Sequence, residues 1–569
     1  LRDRPGECSG RMVACWAGKL ALMSLRVSIL AALALILGLP FALSLARDGQ
    51  GLPSEGPRLV VYTPHVQQIR WEFAHAFSAW HKREFGESAV LDFRTPGGTS
   101  EIRRQLAAQY IAALKQGKYE LVQTGDGYEV AMPPGTIEAD LFFGGGSYDH
   151  GELKRGVRYV FAGAAPDGTD LELDVPMSVP ASFSQPELDE LYGENVIGPQ
   201  TLYEPEQYWI GTALSSFGIV YNTELLARLG LPAPEAFGDL TDCRLLGSVA
   251  LADPRQSGSI TTTFDSILGN AGWDEGWRLL RAMCGNTRYF TNSATKPPSD
   301  VSQGEAAAGL AIDFYGRGQA QTAGRGRVGY ADPAGAVYVD ADPVTLLRGG
   351  PNYELAMRFV RFTLTDEAQA LWQFPSLESD REGAPPSEAT GEPLGPLRYE
   401  LRRMPVRRAM YDRYFDRFKD KVVPFEIVSR IENPGWRTGV QVMMGCFAAD
   451  IAEQTRAAYE ALCDARGNAA FPPETLAAME RAYFAFPPTP VDAEGAFTSG
   501  EPVERLAWTE SNYRAVRNSW RPDGAQRRAE IYYTRWFRER YAEVIEMRDT
   551  REPAGLFANG PSGEPGDDA

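Results

Sequence analysis

Three short apolar runs, each ending in a loop marked by glycine or proline, constrain this chain more than any other feature. Arg58–Tyr62 (RLVVY) stops at Thr63-Pro64, and Ala89–Phe93 (AVLDF) runs into Thr95-Pro96-Gly97-Gly98. Ala139–Phe143 (ADLFF) ends at Gly144-Gly145-Gly146-Ser147. Between the first two runs, Ile69, Phe73, Phe77 and Trp80 recur at helical spacing, which predicts a helix over about 67–85. A second helix is expected to open after Gly98, giving the order β-α-β-α-β and hence an α/β layer around a mostly parallel sheet. Sheets of this kind bind ligands just beyond the carboxyl ends of their strands, where all three loops fall.

The middle of the chain repeats the style. Trp209–Asn222 (WIGTALSSFGIVYN) reads as a long crossing strand. Ser248–Ala252 reads as a strand leading through Asp253-Pro254 to Ser257-Gly258-Ser259 and a helix from about Ile260. Ala307–Asp313 is a further strand ending at Phe314-Tyr315-Gly316, and Val337–Val344 is β-like. Tyr353–Trp372 reads as one amphipathic helix with Leu355, Phe359, Phe362 and Leu371 on one face. From Glu378 to Gly395 the composition turns to Pro, Gly, Ser, Glu and Asp, as in a linker or long loop. Beyond it helices are expected near 403–418, 446–466, 474–484 and 524–548, with no internal repeat.

Arg26 precedes an apolar run, Val27–Ala46, that gives way to a polar stretch. A basic start, an apolar core and small residues at Ser44 and Ala46 match a secretory signal cleaved after Ala46. The run is also long enough to span a bilayer, so an uncleaved anchor is the alternative. Acidic residues (75) outnumber Lys and Arg (57), for a net charge of −18. Nucleic acid is therefore not an expected partner, because binding it needs a concentrated basic surface. Cys8 and Cys15 precede the cleavage point, leaving Cys243, Cys284, Cys446 and Cys463. These lack CxxC spacing and lie far from the four histidines (65, 75, 81 and 150), so no zinc site is expected. Two readings stay open: disulfides 243–284 and 446–463, paired by proximity along the chain, or buried free thiols.

The ordered series VVYTPH, FSAWHKREFG, LDF, GGTSE, ADLFF, WIGTALSSFGIVYN, SVALADPRQSGS, AAGLAIDFY and ELAMRFVRFTLTDEAQALW resembles the iron(III)- and oxyanion-type periplasmic solute-binding proteins of ABC importers. The resemblance covers about residues 58–375. It implies a type II periplasmic binding fold, two α/β lobes joined by a hinge and closing on a ligand. The expected organisation is a signal or upstream segment (1–46), a mainly first lobe with an insertion (57–208) and a mainly second lobe (209–340). A return to the first lobe (341–376), a linker (377–398) and a mostly helical region (399–569) follow. The resemblance implies a monomer outside the cytoplasm that passes a small solute to a membrane permease, without a cofactor.

Iron binders of this family use a His in the first loop, a Glu after the third strand and a tandem Tyr pair. Here His65 sits in the first loop beside Thr63, the third loop has Gly145, Gly146 and Ser147 but no Glu, and the pair reads Phe314-Tyr315. Fe³⁺ wants several anionic oxygens, so a set missing two ligands argues against it and no metal is assigned. What remains suits an oxyanion. Gly98-Thr99-Ser100 and Ser257-Gly258-Ser259 with Thr261 place hydroxyls and free amides at helix starts, where negative charge is favoured. The same residues also make ordinary helix caps. Gly144–Ser147, with Gly145, Gly146 and Ser147, supplies another run of backbone donors from the facing lobe, Asn292 matches a family Asn that contacts the anion, and Tyr315 offers a ring or hydroxyl contact.

Gly324–Gly329 fits GxGxxG but lacks the preceding buried strand and reads as a surface loop. GxSxG, HExxH and P-loop motifs are absent from the sequence, so an enzyme is not expected. Three alternatives stand beside the anion reading: a ferric-binding protein, a secreted enzyme on an α/β scaffold, and a sensor or adhesion module that docks through its C-terminal helices.

Overall fold

The computed structural model describes residues 52–554 except 126, 325 and 334, and its strands and helices all belong to the compact unit that begins at Glu55. The apolar run at 27–46 with its cleavage site, and Cys8 and Cys15, lie outside the described residues.

The first layer forms as expected. Strand β1 (Arg58–Tyr62) lies parallel between β2 (Val90–Arg94) and β3 (Leu141–Phe143). Helix α1 (Gln67–Phe85) turns Ile69, Phe73 and Phe77 into the core and ends at Gly86, whose φ of 82° suits a left-handed C-cap. Helix α2 (Thr99–Lys115) follows β2, and α3 (Ser147–Arg155) follows β3.

Strand β4 (Ile210–Asn222) is buried at every residue but Tyr221, as a strand covered on both faces must be. Its first half, to Ser216, pairs antiparallel with β9 (Val339–Leu347). Its second half pairs with β7 (Ala308–Ile312) and β8 (Val328–Ala331). Strand β5 (Val249–Ala252) lies parallel between β7 and β6 (Thr287–Thr291). Among the described residues one mixed sheet of eleven strands therefore runs β6-β5-β7-β4-β9-β3-β1-β2, with β8 and the short strand Met404–Pro405 paired to β4 and Ser178–Val179 paired to β9 off this path. Within the sheet two three-stranded parallel layers are joined through β4 and β9, so each layer is a lobe and this pair is the crossing between them. Helix α4 (Gly258–Ala271) follows β5, and α5 (Asp313–Ala323) follows β7.

Some expectations need correction. The single helix over 353–372 is two, α6 (Tyr353–Thr363) and α7 (Asp366–Gln373). Thr365 breaks it because its hydroxyl accepts the Ala368 amide (3.2 Å) and caps the second helix. The Pro- and Gly-rich stretch after 378 is tied down: the buried Glu72 carboxylate accepts the amides of Leu397, Arg398 and Tyr399 at 2.7–2.8 Å. The helix expected near 403–418 forms only at Arg408–Tyr414, and ahead of it Met404–Pro405 form β10 against Leu214 and Ala213 of β4. The structure agrees with setting aside the GxGxxG stretch as a cofactor motif, since α5 ends at Ala323 before it and β8 opens at Val328, the reverse of the strand-then-helix order such a motif requires.

The C-terminal region is mainly helical: α8 (Arg437–Phe447), α9 (Ala452–Gly467), α10 (Pro473–Phe484) and α11 (Ala525–Thr550). Phe447, Tyr459, Tyr483 and Phe537 share one hydrophobic core with Phe264, Trp277 and Leu280 of the second lobe. Buried Arg281 lies at its centre, 4.8 Å from the Phe537 ring and 5.3 Å from Phe447. These helices extend the second lobe's core and do not stand apart from it. Among the described residues, no helix is long and apolar enough to cross a membrane.

The proximity pairings 243–284 and 446–463 are both overturned. Cys243 bonds Cys463 across 220 residues, while Cys284 and Cys446 are buried free thiols whose ionisation is pushed up, chiefly by burial. Cys243 sits in the turn before β5, which α9 crosses, whereas Cys284 faces the shared core. Peptide mapping should recover the 243–463 link, with Cys284 and Cys446 alkylated only after denaturation. Cys463→Ala should cost about 2–4 kcal/mol, because the bridge closes a very long loop of the unfolded chain. A 446–463 link in the native protein would contradict this arrangement.

Candidate functional site

A cleft of about 420 Å³ lies between the lobes, at the carboxyl ends of both sets of parallel strands. The first lobe contributes His65, Gly98, Thr99 and Gly145. The second contributes Ser257, Gly258, Ser259, Asn292 and Tyr315. Helices α2 and α4 both begin here. Ser257 caps α4 by accepting the Ile260 amide (3.5 Å), and Gly98 precedes α2 in an extended conformation. The amides of Thr99, Ser100, Gly258 and Ser259 thus open their helices without acceptors in the preceding turn.

Gly258 marks where the lobes touch. A Cβ there would come within 2.7 Å of Asp149 Oδ2, 3.0 Å of Thr99 Oγ1 and 3.4 Å of Ser100 Oγ, all from the first lobe. Gly145 has φ of 108°, and a Cβ there would strike Thr99 Cγ2 at 2.4 Å. Glycine at 258 permits close approach of the two helix starts, and glycine at 145 lets the third loop pack against the start of α2.

Other expected site residues do different work. Thr63 is buried and braces the first loop by accepting the His65 amide (3.1 Å). Thr261 is turned away from the cleft, its hydroxyl donating to the Pro254 and Ser257 carbonyls. The third loop is not a free run of donors. The Gly145 amide is taken by Asp342, and the Ser147 amide donates to Asp340 (3.0 Å). Gly146 borders a chamber of about 30 Å³ behind the cleft, with Asp340, Arg403 and Arg437.

His65 is not an exposed ligand. It is 4% exposed, and its Nε2 lies 2.7 Å from Arg403 Nη1 and 3.0 Å from Asp342 Oδ2. Arg403 is ion-paired with Asp342 and donates through Nε to Ser215 (3.1 Å). Burial first, then Arg403, Arg70 and His150, holds the His65 pKa well below its ordinary value, so the ring is neutral. A neutral ring fits Arg403 donating to Nε2, and Nδ1 is left without a partner.

Sequence reasoning missed Asp342, Arg403 and Arg437. Asp340 and Asp342 alternate in an apolar strand, a period-2 signal that puts both on one face. Arg403 comes from β10's flank and is cationic at neutral pH, although burial lowers its pKa to about 10. Tyr315 is half-buried, its phenol pushed up by burial while Arg403 pulls the other way. Among the described residues, no three His, Cys, Asp or Glu side chains are grouped to hold a metal.

Arg437, the first residue of α8, donates to the Gly258 carbonyl (3.1 Å) and to Thr262. Its guanidinium then lies 4.1 Å over the Tyr148 ring, on α3 of the opposite lobe. This contact ties the two lobes to one another by about 0.5–1 kcal/mol. Tyr148→Leu and Arg437→Gln should each shift the closed-to-open balance about two- to fivefold, and the double variant no further. Distances between spin labels on the two lobes read this, and additive effects would assign the residues separate roles.

Burial also raises Asp313 to about 7, against the opposing pull of Arg317. A carboxyl raised on folding contributes stability at low pH that is lost as pH climbs through the folded value. From about pH 4 to 7 the wild type should therefore lose stability relative to Asp313→Asn, with a flat difference above. Melting temperatures across that range check it, and a wild type gaining stability with pH relative to the variant would contradict it.

Residues 182–390 match the model of a family described as bacterial extracellular solute-binding protein. An uncharacterized protein of Haemophilus influenzae is 30% identical over 156 residues, covering 27% of this chain and 44% of that one. The phosphoglycerate transport regulatory protein PgtC of Salmonella typhimurium is 28% identical over 106 residues, 19% of this chain and 27% of that one. The chain thus spans less than half the length of these curated relatives. Two solved structures are also similar. The periplasmic binding protein AfuA of Actinobacillus pleuropneumoniae, with fructose-6-phosphate bound, has a TM-score of 0.40 and 16% identity over 71% of this chain and 97% of that one. Iron-bound HitA of Pseudomonas aeruginosa has a TM-score of 0.43 and 14% identity over 71% and 99%.

Proposed function

We propose that this chain, which carries a bacterial extracellular solute-binding segment, captures a small anionic or oxyanion-bearing solute between its lobes. It then delivers that solute to the permease of an ABC importer. The observation that carries this reading is the meeting of two helix starts, α2 and α4, from opposite lobes across one cleft. Amides there are oriented before the ligand arrives and the helix dipoles favour negative charge. Arg403 borders the same space and adds a cation. A solute bonded to both helix starts stabilises the closed arrangement, which gives capture its conformational signal. The name of PgtC, a phosphoglycerate transport regulatory protein, supports an anionic solute.

A periplasmic or other extracytoplasmic place fits the Cys243–Cys463 bridge, since disulfides persist in oxidising compartments. Binding without turnover is favoured because His65, the one imidazole at the cleft, is already engaged by Asp342 and Arg403. The same engagement disfavours ferric iron, which would need His65 free and a carboxylate where Gly145 and Gly146 stand.

Calorimetry with inorganic phosphate on the wild type, Ser259→Ala and Gly258→Leu tests the reading. Ser259→Ala should lose roughly ten- to a hundredfold in affinity, as expected for one hydrogen bond to a charged group. Gly258→Leu should lose more, because its side chain meets Asp149 and Thr99 and prevents closure. Melting temperatures without phosphate should barely move for Ser259→Ala. Wild-type affinity in both variants would assign these residues to helix capping alone.

A further inference from the structure

The space between the lobes does not end at Tyr315. Phe314 and Tyr315 border both the cleft and a second cavity of about 480 Å³. The second cavity lies between the same lobes: Gln68 comes from α1, and Gln319 and Thr322 come from α5. Its third side is the chain from Arg398 to Leu401. That side is held in place by the three amides that Glu72 accepts from Leu397, Arg398 and Tyr399.

Arg398 is the feature that calls for a ligand. It is exposed and lies 5.2 Å over the Tyr399 ring, and among the described residues it has no carboxylate partner. This is a chain in which acids exceed Lys and Arg by 75 − 57 = 18, so acidic partners are plentiful. Glu400, the acid that borders the same cavity, is taken by Lys419 (3.2 Å) and by Gln321. The amides of Gln68 and Gln319 border the same cavity and offer hydrogen bonds, while the Thr322 hydroxyl is already donated to the Gly318 carbonyl (2.9 Å).

We infer that the solute is two-ended, an organic molecule with an anionic group at each end of a polar spacer. This rests on the cleft being an anion site. One anionic group sits at the starts of α2 and α4, the spacer passes the rings of Phe314 and Tyr315, and the second anionic group meets Arg398. A lone oxyanion would leave the second cavity and its cation unused. Two-ended binding makes Arg398, which lies outside the strands and helix starts of both lobes, a determinant of which solutes are accepted.

Calorimetry with inorganic phosphate, glucose 6-phosphate and glucose 1,6-bisphosphate, on the wild type and Arg398→Gln, tests it. The bisphosphate should bind the wild type about tenfold tighter than the monophosphate. Arg398→Gln should reduce the bisphosphate to the level of the monophosphate and leave inorganic phosphate unchanged. A bisphosphate that binds no tighter than the monophosphate, or a variant that weakens all three probes alike, would overturn the inference while leaving the anion cleft standing. Binding of none of the three would remove both.

Discussion

Strands β4 and β9 cross between the lobes as a buried antiparallel pair, and almost every feature of the site is referred to them. The pair carries carboxylates into the interior at Asp340 and Asp342, and charges there must be partnered. Asp342 takes Arg403 and the Gly145 amide, and Asp340 takes the Ser147 amide. The loop after β3 is therefore fastened to the crossing strand, and with it the floor of the cleft. His65 is drawn into the same cluster and loses both its charge and its freedom to ligate. Such pairs contribute little net stability, and their effect here is to fix geometry.

The C-terminal helices follow from a second constraint. The outer face of α4 and of the helix bearing Trp277 is apolar and would be exposed in a lobe that ended near β9. Helices α8, α9 and α11 cover it and bury Arg281 among aromatic rings. Because α8 packs on α4, its first residue, Arg437, reaches the mouth of the crossing and touches Tyr148 of the other lobe. A segment that reads from sequence as an appendage thus reaches the surface where the lobes meet.

Much of this was legible from residues close in sequence. Apolar runs ending at Gly or Pro located β1, β2, β3, β5 and β7, the long apolar run 209–222 located β4, and the Gly/Ser/Thr clusters located the starts of α2 and α4. Local signals also explain one error: Thr365-Asp366-Glu367 is a helix start that the apolar face of 353–372 obscured. What stayed hidden depends on contacts distant in sequence. Arg403 meets His65 across 338 residues, and Cys243 meets Cys463 across 220. Neither has a spacing that a single sequence could report. The third loop misled because free amides in sequence were already spent on Asp340 and Asp342 in space.

The most direct measurement is the location of the solute itself, in a crystal structure of the protein purified with the solute it carries from its host. The central claim requires anionic oxygens within hydrogen-bonding distance of the amides of Thr99, Gly258 and Ser259, with the lobes closed around them. A neutral solute, a bare metal ion at His65 and Tyr315, or an anion bound away from both helix starts would contradict it.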